Sequence, residues 1–222
     1  MKYKWLLISL YSFLFSSNLD YKIKFFGIYV ADCKVEMSDT TIYNTDAIRL
    51  NYKVKTKPFI DNFFNIDNYY TIIIDKNKYN TLLYKKKTVQ PNVVNYIETE
   101  FVNNNIKYKD SNTYLGGEDF NIFSILYLIS NNKKEVMNSI SQIEREGKYY
   151  DFSFLSENNS YELILNEKNI EDKGLIEHTD IFLWGLFLPN TNNSILVNDF
   201  GYIEECRFKR GILTVSAIID IK

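Results

Sequence analysis

The side chains of this chain that could carry out catalysis are few. His178 is the single histidine, so histidine-rich metal centres are excluded, and Ser-His-Asp or Cys-His catalysis would have to use that one residue. It lies just before a predicted buried strand, where a surface histidine is the simplest interpretation. The 28 Asp and Glu residues leave a paired-carboxylate hydrolase open, although no two of them stand out as a buried acid and its partner. We therefore predict no catalytic residue.

The pair Gly116-Gly117 is a candidate phosphate-binding loop. It lacks the Lys-Ser or Lys-Thr that follows in such loops, and it lacks the spaced third glycine of a dinucleotide site. Glycine also lets one element end and the next begin, because it adopts backbone conformations that strain other residues. We interpret the pair as a chain break before a helix, and we predict no cofactor and no metal.

Two cysteines, Cys33 and Cys206, are the remaining reactive groups. Each lies in a segment of alternating apolar residues, so both should point to an apolar face. In an oxidising compartment they could form one disulfide bond. The alternative is two buried free thiols, and sequence alone does not show whether their Cα atoms approach closely enough to be bridged.

The start of the chain indicates where the protein works. Lys2 and Lys4 precede a largely apolar run over 5–15, and small polar residues follow. This layout is typical of a secretory signal, and the run is shorter than the roughly 20 residues that span a bilayer. We predict a signal peptide at 1–17, or an uncleaved N-terminal anchor, and a single β-rich domain at 18–222. The expected location is the periplasm or another exported site, with outer-membrane association open; a buried first element of a cytosolic domain is the alternative.

Aromatic residues are abundant, with 18 Tyr and 16 Phe. Most should pack in the core or pair across strands. A curved sheet lined by them could also leave an apolar groove, as in small barrels that hold apolar ligands. The formal net charge of −2 gives no basic face for nucleic acid. The predicted partners are a lipid or other apolar ligand, or an envelope protein, with no nucleic acid and no transmembrane span in the mature chain.

Period-two alternation dominates the rest of the sequence and predicts strands separated by turns. The predicted strands are 21–26, 28–37, 47–56, 69–74, 78–89, 93–101, 106–108, 140–144, 148–155, 161–165, 181–188, 194–197, 202–208 and 212–221. So many consecutive hairpins favour a mainly β fold: an antiparallel sheet that curls into a half-open β-barrel and so protects its edges. A two-sheet β-sandwich is the alternative.

One segment, 116–129, has helical spacing of its apolar residues. It should be the one principal helix. Its apolar face, which includes Ile122, Leu126 and Ile129, either covers the sheet or meets a protein partner.

Several short segments occur in an order that a known family shows. They are Phe26-Gly27-Ile28-Tyr29-Val30-Ala31, then Glu118-Asp119-Phe120-Asn121-Ile122-Phe123-Ser124-Ile125-Leu126-Tyr127, then Glu146-Gly147-Lys148-Tyr149-Tyr150, then Phe182-Leu183-Trp184, and the turns at Gly201 and Gly211. Together they resemble the bacterial exported family catalogued as domain of unknown function 3108 (DUF3108), over nearly the whole mature chain.

The resemblance implies an envelope-associated protein without an established activity. The family's curved sheet is similar to that of the periplasmic lipoprotein carriers, which implies non-enzymatic binding of an apolar ligand or an envelope component by analogy of fold. A structural or scaffolding subunit of an envelope assembly is the alternative, and a carboxylate-dependent glycan hydrolase is a third.

Overall fold

The alternating pattern of the sequence forms strands over most of the chain. The computed structural model describes residues 16–102, 105–109, 114–115, 119–168 and 181–221. Within those ranges the strands are β1 (Ser16–Phe25), β2 (Ile28–Ile42), β3 (Thr45–Thr56), β4 (Asp67–Asp75), β5 (Thr81–Gln90), β6 (Val93–Val102), β7 (Asn105–Tyr108), β8 (Tyr114–Leu115), β9 (Gln142–Arg145), β10 (Lys148–Glu157), β11 (Ser160–Glu167), β12 (Asn192–Val197), β13 (Ile203–Arg210) and β14 (Leu213–Ile219). The helices there are α1 (Pro58–Asp61), α2 (Ile122–Ser130), α3 (Lys134–Asn138) and α4 (Ile181–Leu186).

All of these strands belong to one antiparallel sheet. Its order is β8-β7-β6-β5-β4-β3-β2-β1-β14-β13-β12-β11-β10-β9. Two meanders therefore meet where β1 pairs with β14, in a register that places Tyr21 opposite Ile219. The predicted mainly β, curled antiparallel sheet is confirmed, and it is a single open sheet rather than the two layers of a sandwich.

The sheet curls so far that its two ends approach each other, although no strand pairing joins them. Near one end, the Tyr108 hydroxyl on β7 donates to Glu144 Oε1 on β9 at 2.7 Å. Lys86 Nζ on β5 lies 2.5 Å from Glu146 Oε1 in the β9–β10 turn, and the Tyr84 hydroxyl donates to the same oxygen at 3.0 Å. We call these five residues the closure cluster, because side chains rather than a strand ladder join the ends here.

The chain segment before α2 completes this junction. Thr81 N at the start of β5 donates to the Asp119 carbonyl oxygen at 2.8 Å, and Glu144 N donates to the Phe120 carbonyl oxygen at 2.7 Å. The segment thus lies between the two ends of the sheet and leads directly into α2.

Helix α2 packs on the concave side of the sheet. Ile125 and Leu128 are completely buried. The Phe123 ring centroid lies 4.8 Å from that of Tyr52 and 5.5 Å from that of Tyr70, so one aromatic side chain of the helix connects β3 with β4. The helix is the main element of the core that does not belong to the sheet.

The start of α2 is set by a side-chain cap. Asn121 has an extended backbone, and its side-chain oxygen accepts from Ser124 N at 3.0 Å, which satisfies one of the unpaired amides of the first turn. The helix therefore begins at Ile122, later than the segment 116–129 predicted from spacing. Gly116-Gly117 lies outside the described residues.

Removal of this cap is the first testable change. Asn121→Ala should lower the free energy of unfolding by about 1 kcal/mol, because the amide of Ser124 loses its acceptor. Asn121→Ser keeps an acceptor oxygen and should lose less. Urea denaturation of the three proteins measures the difference, and equal stability of Asn121→Ala and the unsubstituted chain would contradict the role of the cap.

The predicted strand 181–188 is wrong, because its first part forms helix α4. A short apolar run without alternation fits a buried strand and a buried helix equally well. The helical form buries Leu183 and Phe187, and the Phe187 ring packs 4.5 Å from the Tyr150 ring. His178, just before it, lies outside the described residues.

The apolar run 5–15 of the predicted signal also lies outside the described residues, and β1 begins directly after it at Ser16. Among the parts of the chain that the structure describes, no helix is both long enough and apolar enough to cross a membrane.

Candidate functional site

A cavity of about 340 Å³ lies between α2 and the concave face of the sheet. Strands β1 to β4 form one wall, and Leu126 and Tyr127 of α2 form the opposite wall. The volume is within the range of small-molecule sites. The cavity is therefore the candidate functional site.

Alternation along each strand places the wall residues. On β1, Leu19, Tyr21 and Ile23 line the cavity, because successive side chains of a strand point to opposite faces. The same spacing on β2 brings Val35 and Met37 to the wall. The sequence pattern identifies the apolar face, but the unfilled volume depends on where α2 sits above it.

The polar atoms in the walls are uncharged. The Tyr21 hydroxyl donates to the Ile203 carbonyl oxygen at 3.0 Å, and burial raises its pKa well above the usual value. Burial likewise raises the pKa of Tyr52 far above its ordinary range. Both phenols are consequently neutral at physiological pH, and the interior of the cavity suits a ligand without charge.

Both cysteines lie on the cavity wall. They are free cysteines in the structure, with Cys33 buried and Cys206 half-buried. Burial, with a smaller contribution from Cys206, raises the pKa of Cys33 to about 12, and burial raises the pKa of Cys206 to about 12 as well. Neither thiol has appreciable thiolate character, so both are weak nucleophiles and act as apolar wall atoms.

The predicted helix face also belongs to this interior. Ile122 and Ile129 are 4% and 1% exposed, and Leu126 is half-buried and contacts the cavity. The three residues therefore face the sheet, and the described surface leaves little of this face for a protein partner.

The cavity reaches solvent at one end of the sheet. Ser17 at the start of β1, Asn131 at the end of α2, and Phe200 and Tyr202 in the β12–β13 turn line that end. Phe200 is 85% exposed and Tyr202 is 44% exposed. We call this end the mouth, and it combines polar groups with two accessible aromatic rings.

The turn at the mouth has a defined shape. Asn198 Oδ1 accepts from Phe200 N and from Tyr202 N, each at 3.0 Å. Gly201 has a φ of 85°, and a Cβ at this position would lie 3.1 Å from the Ser130 carbonyl oxygen. Glycine is required here both for the left-handed backbone and for the close approach to α2.

A second cavity of about 130 Å³ adjoins the first. The two share Ile23, Leu126 and Cys206 as wall residues. The second extends toward Leu163 on β11 and Phe208 on β13.

The buried carboxylates of the closure cluster are the groups that could support a hydrolase. Glu144 accepts from the Tyr108 hydroxyl and from Gly147 N at 2.5 Å, and Glu146 is paired with Lys86. The space beside them is only about 10 Å³, which is at most the room of one water molecule. Their partners and their enclosure fit a structural role and leave no room for a glycan. Among the described residues, no group of His, Cys, Asp and Glu could hold a metal ion.

One curled antiparallel sheet around a helix and a cavity defines a β-barrel-like protein. No family model matches the chain, and no curated protein matches it. The chain is similar to a solved structure described as a β-barrel-like protein of domain of unknown function DUF1849 from Brucella abortus, with 6% identity, a TM-score of 0.49, and coverage of 93% of this chain and 96% of that one. At this level of similarity the match carries no argument about ligand, partner or location, and the resemblance to DUF3108 stays a prediction.

Proposed function

We propose that the protein binds an apolar ligand in the cavity between α2 and the sheet, and that it does so without catalysing a reaction. The observation that carries the proposal is an accessible cavity of about 340 Å³ whose walls hold neutral side chains. Transfer of apolar surface from water into such a space is favourable by about 25 cal/mol per Å².

The distribution of polar groups in the cavity supports binding of an amphiphile that carries an acyl chain. The inner walls carry Ile23, Val35 and Val54, whereas Ser130 and Asn131 lie at the mouth. An acyl chain would occupy the interior, and its polar end would contact the serine and asparagine side chains. The proposal places this activity in the bacterial envelope, because 1–17 has the layout of a secretory signal.

A cavity-filling substitution tests the proposal. Val35→Trp should weaken binding of cis-parinaric acid, a fluorescent fatty acid, by about tenfold or more, because the indole would occupy the space that the acyl chain needs. Fluorescence titration of the purified protein measures the dissociation constant, and palmitate should displace the probe.

The matched control is Val94→Trp. Val94 is 72% exposed on β6, so the same substitution there should leave the dissociation constant unchanged. Thermal unfolding of both variants shows whether they are folded. The proposal fails if the unsubstituted protein binds no probe, or if Val35→Trp folds and binds it as well as Val94→Trp does.

A further inference from the structure

Large apolar side chains are exposed together at the end of the sheet opposite the mouth. The mouth lies at the start of β1, and this second surface lies at the end of the same strand. We call it the apolar tip, and it consists of Phe25, Phe26, Ile28, Phe59, Phe63 and Ile212, with exposed fractions of 40%, 51%, 62%, 58%, 86% and 88%. Soluble proteins rarely expose contiguous apolar surface of this kind unless it binds something.

Three neighbouring loops supply the tip. The β1–β2 turn is bound to the β13–β14 hairpin, since Phe26 N donates to the Thr214 carbonyl oxygen at 3.0 Å. The start of β2, which follows this turn, is linked to the loop that carries α1, since Lys57 N donates to the Val30 carbonyl oxygen at 2.9 Å. The Phe25 and Phe26 rings pack edge to face at 4.6 Å. The loops thus present one surface and not three separate projections.

Basic side chains surround the β1 and β14 part of the tip. Lys209 and Arg210 are exposed at the end of β13, and Lys24 lies next to Phe25 on β1. Their cross-strand neighbours carry no charge: Asn192 and Thr214 lie opposite Lys209. Leu213 lies opposite Arg210, and Lys24 lies opposite Tyr29 and Ser216. The β1 and β14 part of the tip is therefore both apolar and locally positive, whereas the α1 part also carries Asp61.

We propose that the apolar tip docks on the surface of an anionic lipid bilayer. Exposed Phe and Ile side chains next to Lys and Arg are the combination that enters the boundary between headgroups and acyl chains while contacting lipid phosphates. A second copy of the chain fits less well, because apposed tips would bring Lys209 and Arg210 of both copies together. In this orientation the mouth, at the other end of β1, faces away from the bilayer.

Depth-dependent fluorescence quenching tests docking directly. Phe63→Trp is mixed with vesicles of phosphatidylglycerol and phosphatidylcholine that contain brominated acyl chains. The added indole should be quenched beyond the signal of the two native tryptophans, because bromine quenches only at contact depth. Leu155→Trp is the control, since Leu155 is 62% exposed near the far end of β10 and should show no added quenching. These comparisons hold whether or not the segment 5–15 also contacts lipid.

Vesicle co-sedimentation measures the affinity. Phe63→Ser with Ile212→Ser should weaken binding about tenfold, because two large side chains no longer leave water. Arg210→Glu should weaken it several-fold and reduce its salt dependence, whereas Lys34→Glu, at an exposed site on β2, should change little.

Three outcomes would overturn the proposal. The first is no added quenching of Phe63→Trp by anionic vesicles, and the second is equal quenching of Leu155→Trp. The third is a dimer in analytical ultracentrifugation that Ile212→Ser abolishes, because it would assign the tip to a second copy of this chain.

Discussion

Lys86→Met is expected to lower the free energy of unfolding by about 3–5 kcal/mol, because it leaves a buried carboxylate without its counter-ion. Lys86 is completely buried, and its Nζ lies 2.5 Å from Glu146 Oε1. The Tyr84 hydroxyl also donates to that oxygen and cannot compensate a full negative charge. Since this pair joins β5 to the β9–β10 turn, the variant should also loosen the junction between the two ends of the sheet. Urea denaturation followed by circular dichroism measures the loss.

The neighbouring lysine provides the control. Lys85 is 40% exposed at its side chain and pairs with Glu98 Oε1 at 2.6 Å, so Lys85→Met should cost about 1 kcal/mol or less. The double variant Lys86→Met with Glu146→Gln removes the uncompensated charge and should recover part of the loss. Equal losses for Lys85→Met and Lys86→Met would contradict a structural role of the buried pair.

Glu144→Gln is expected to abolish a pH dependence of stability that amounts to several kcal/mol in the unsubstituted protein. Burial raises the pKa of Glu144 from 4.5 to about 8, and the nearby carboxylates of Asp119 and Glu146 add to the rise. Hydrogen bonds from Gly147 N and the Tyr108 hydroxyl partly oppose it. At neutral pH the folded protein therefore holds a proton on Glu144.

The sign of the effect follows from proton binding. The unfolded chain loses this proton above a pH of about 4.5, whereas the folded state keeps it up to about 8. The contribution of Glu144 to stability is thus complete at acidic pH and is lost as the pH rises through this window. Gln keeps the acceptor oxygen for Tyr108 and has no proton to lose. Glu98, whose pKa is lowered to about 2 by Lys85, Tyr96 and Lys109, changes stability at more acidic pH and does not interfere.

Urea midpoints at about pH 5 and about pH 8 measure this effect. The unsubstituted protein should be clearly less stable at the higher pH, and Glu144→Gln should show a much smaller difference. Glu157→Gln is the matched control at an exposed site near the other end of β10, and it should leave the difference intact. A Glu144→Gln protein with the full pH dependence would refute the assignment.

Alternation along the strands makes much of the fold predictable. The spacing of Tyr21 and Ile23 in the predicted strand 21–26 identifies the inner face of β1. The start of α2 was placed too early, because the spacing of apolar residues does not mark the cap at Asn121. The prediction of a strand at 181–188 failed, because the apolar residues of this segment follow neither strand nor helix spacing. The position of the cavity was not predictable, because it depends on how α2 lies over β1 to β4, and no local pattern encodes that distance.

The closure cluster could not be predicted from the sequence, for a different reason. Lys86 lies within the run Lys85-Lys86-Lys87, which is typical of a solvated strand face. Alternation turns the middle lysine inward, but its partner Glu146 is distant in sequence and lies in a hairpin turn. No pattern in the sequence around Lys86 indicates that its buried charge is paired with a carboxylate sixty residues further along the chain. The inward orientation of Cys33 and Cys206 was predictable, because the alternating apolar residues around each of them indicated the inner face of the sheet.

The pairing of β1 with β14 has a consequence for how the chain reaches this structure. Within the described residues, every other strand pairing joins strands that follow one another in sequence. Most of these pairs are hairpins whose short loops close quickly, although the segment that contains α4 separates β11 from β12. The β1–β14 contact, with Lys22 opposite Ile218, must bring together segments from nearly opposite ends of the chain. Folding speed should therefore be governed by this one late encounter, and during synthesis β1 must remain an unpaired edge on one side until the last strand has been made.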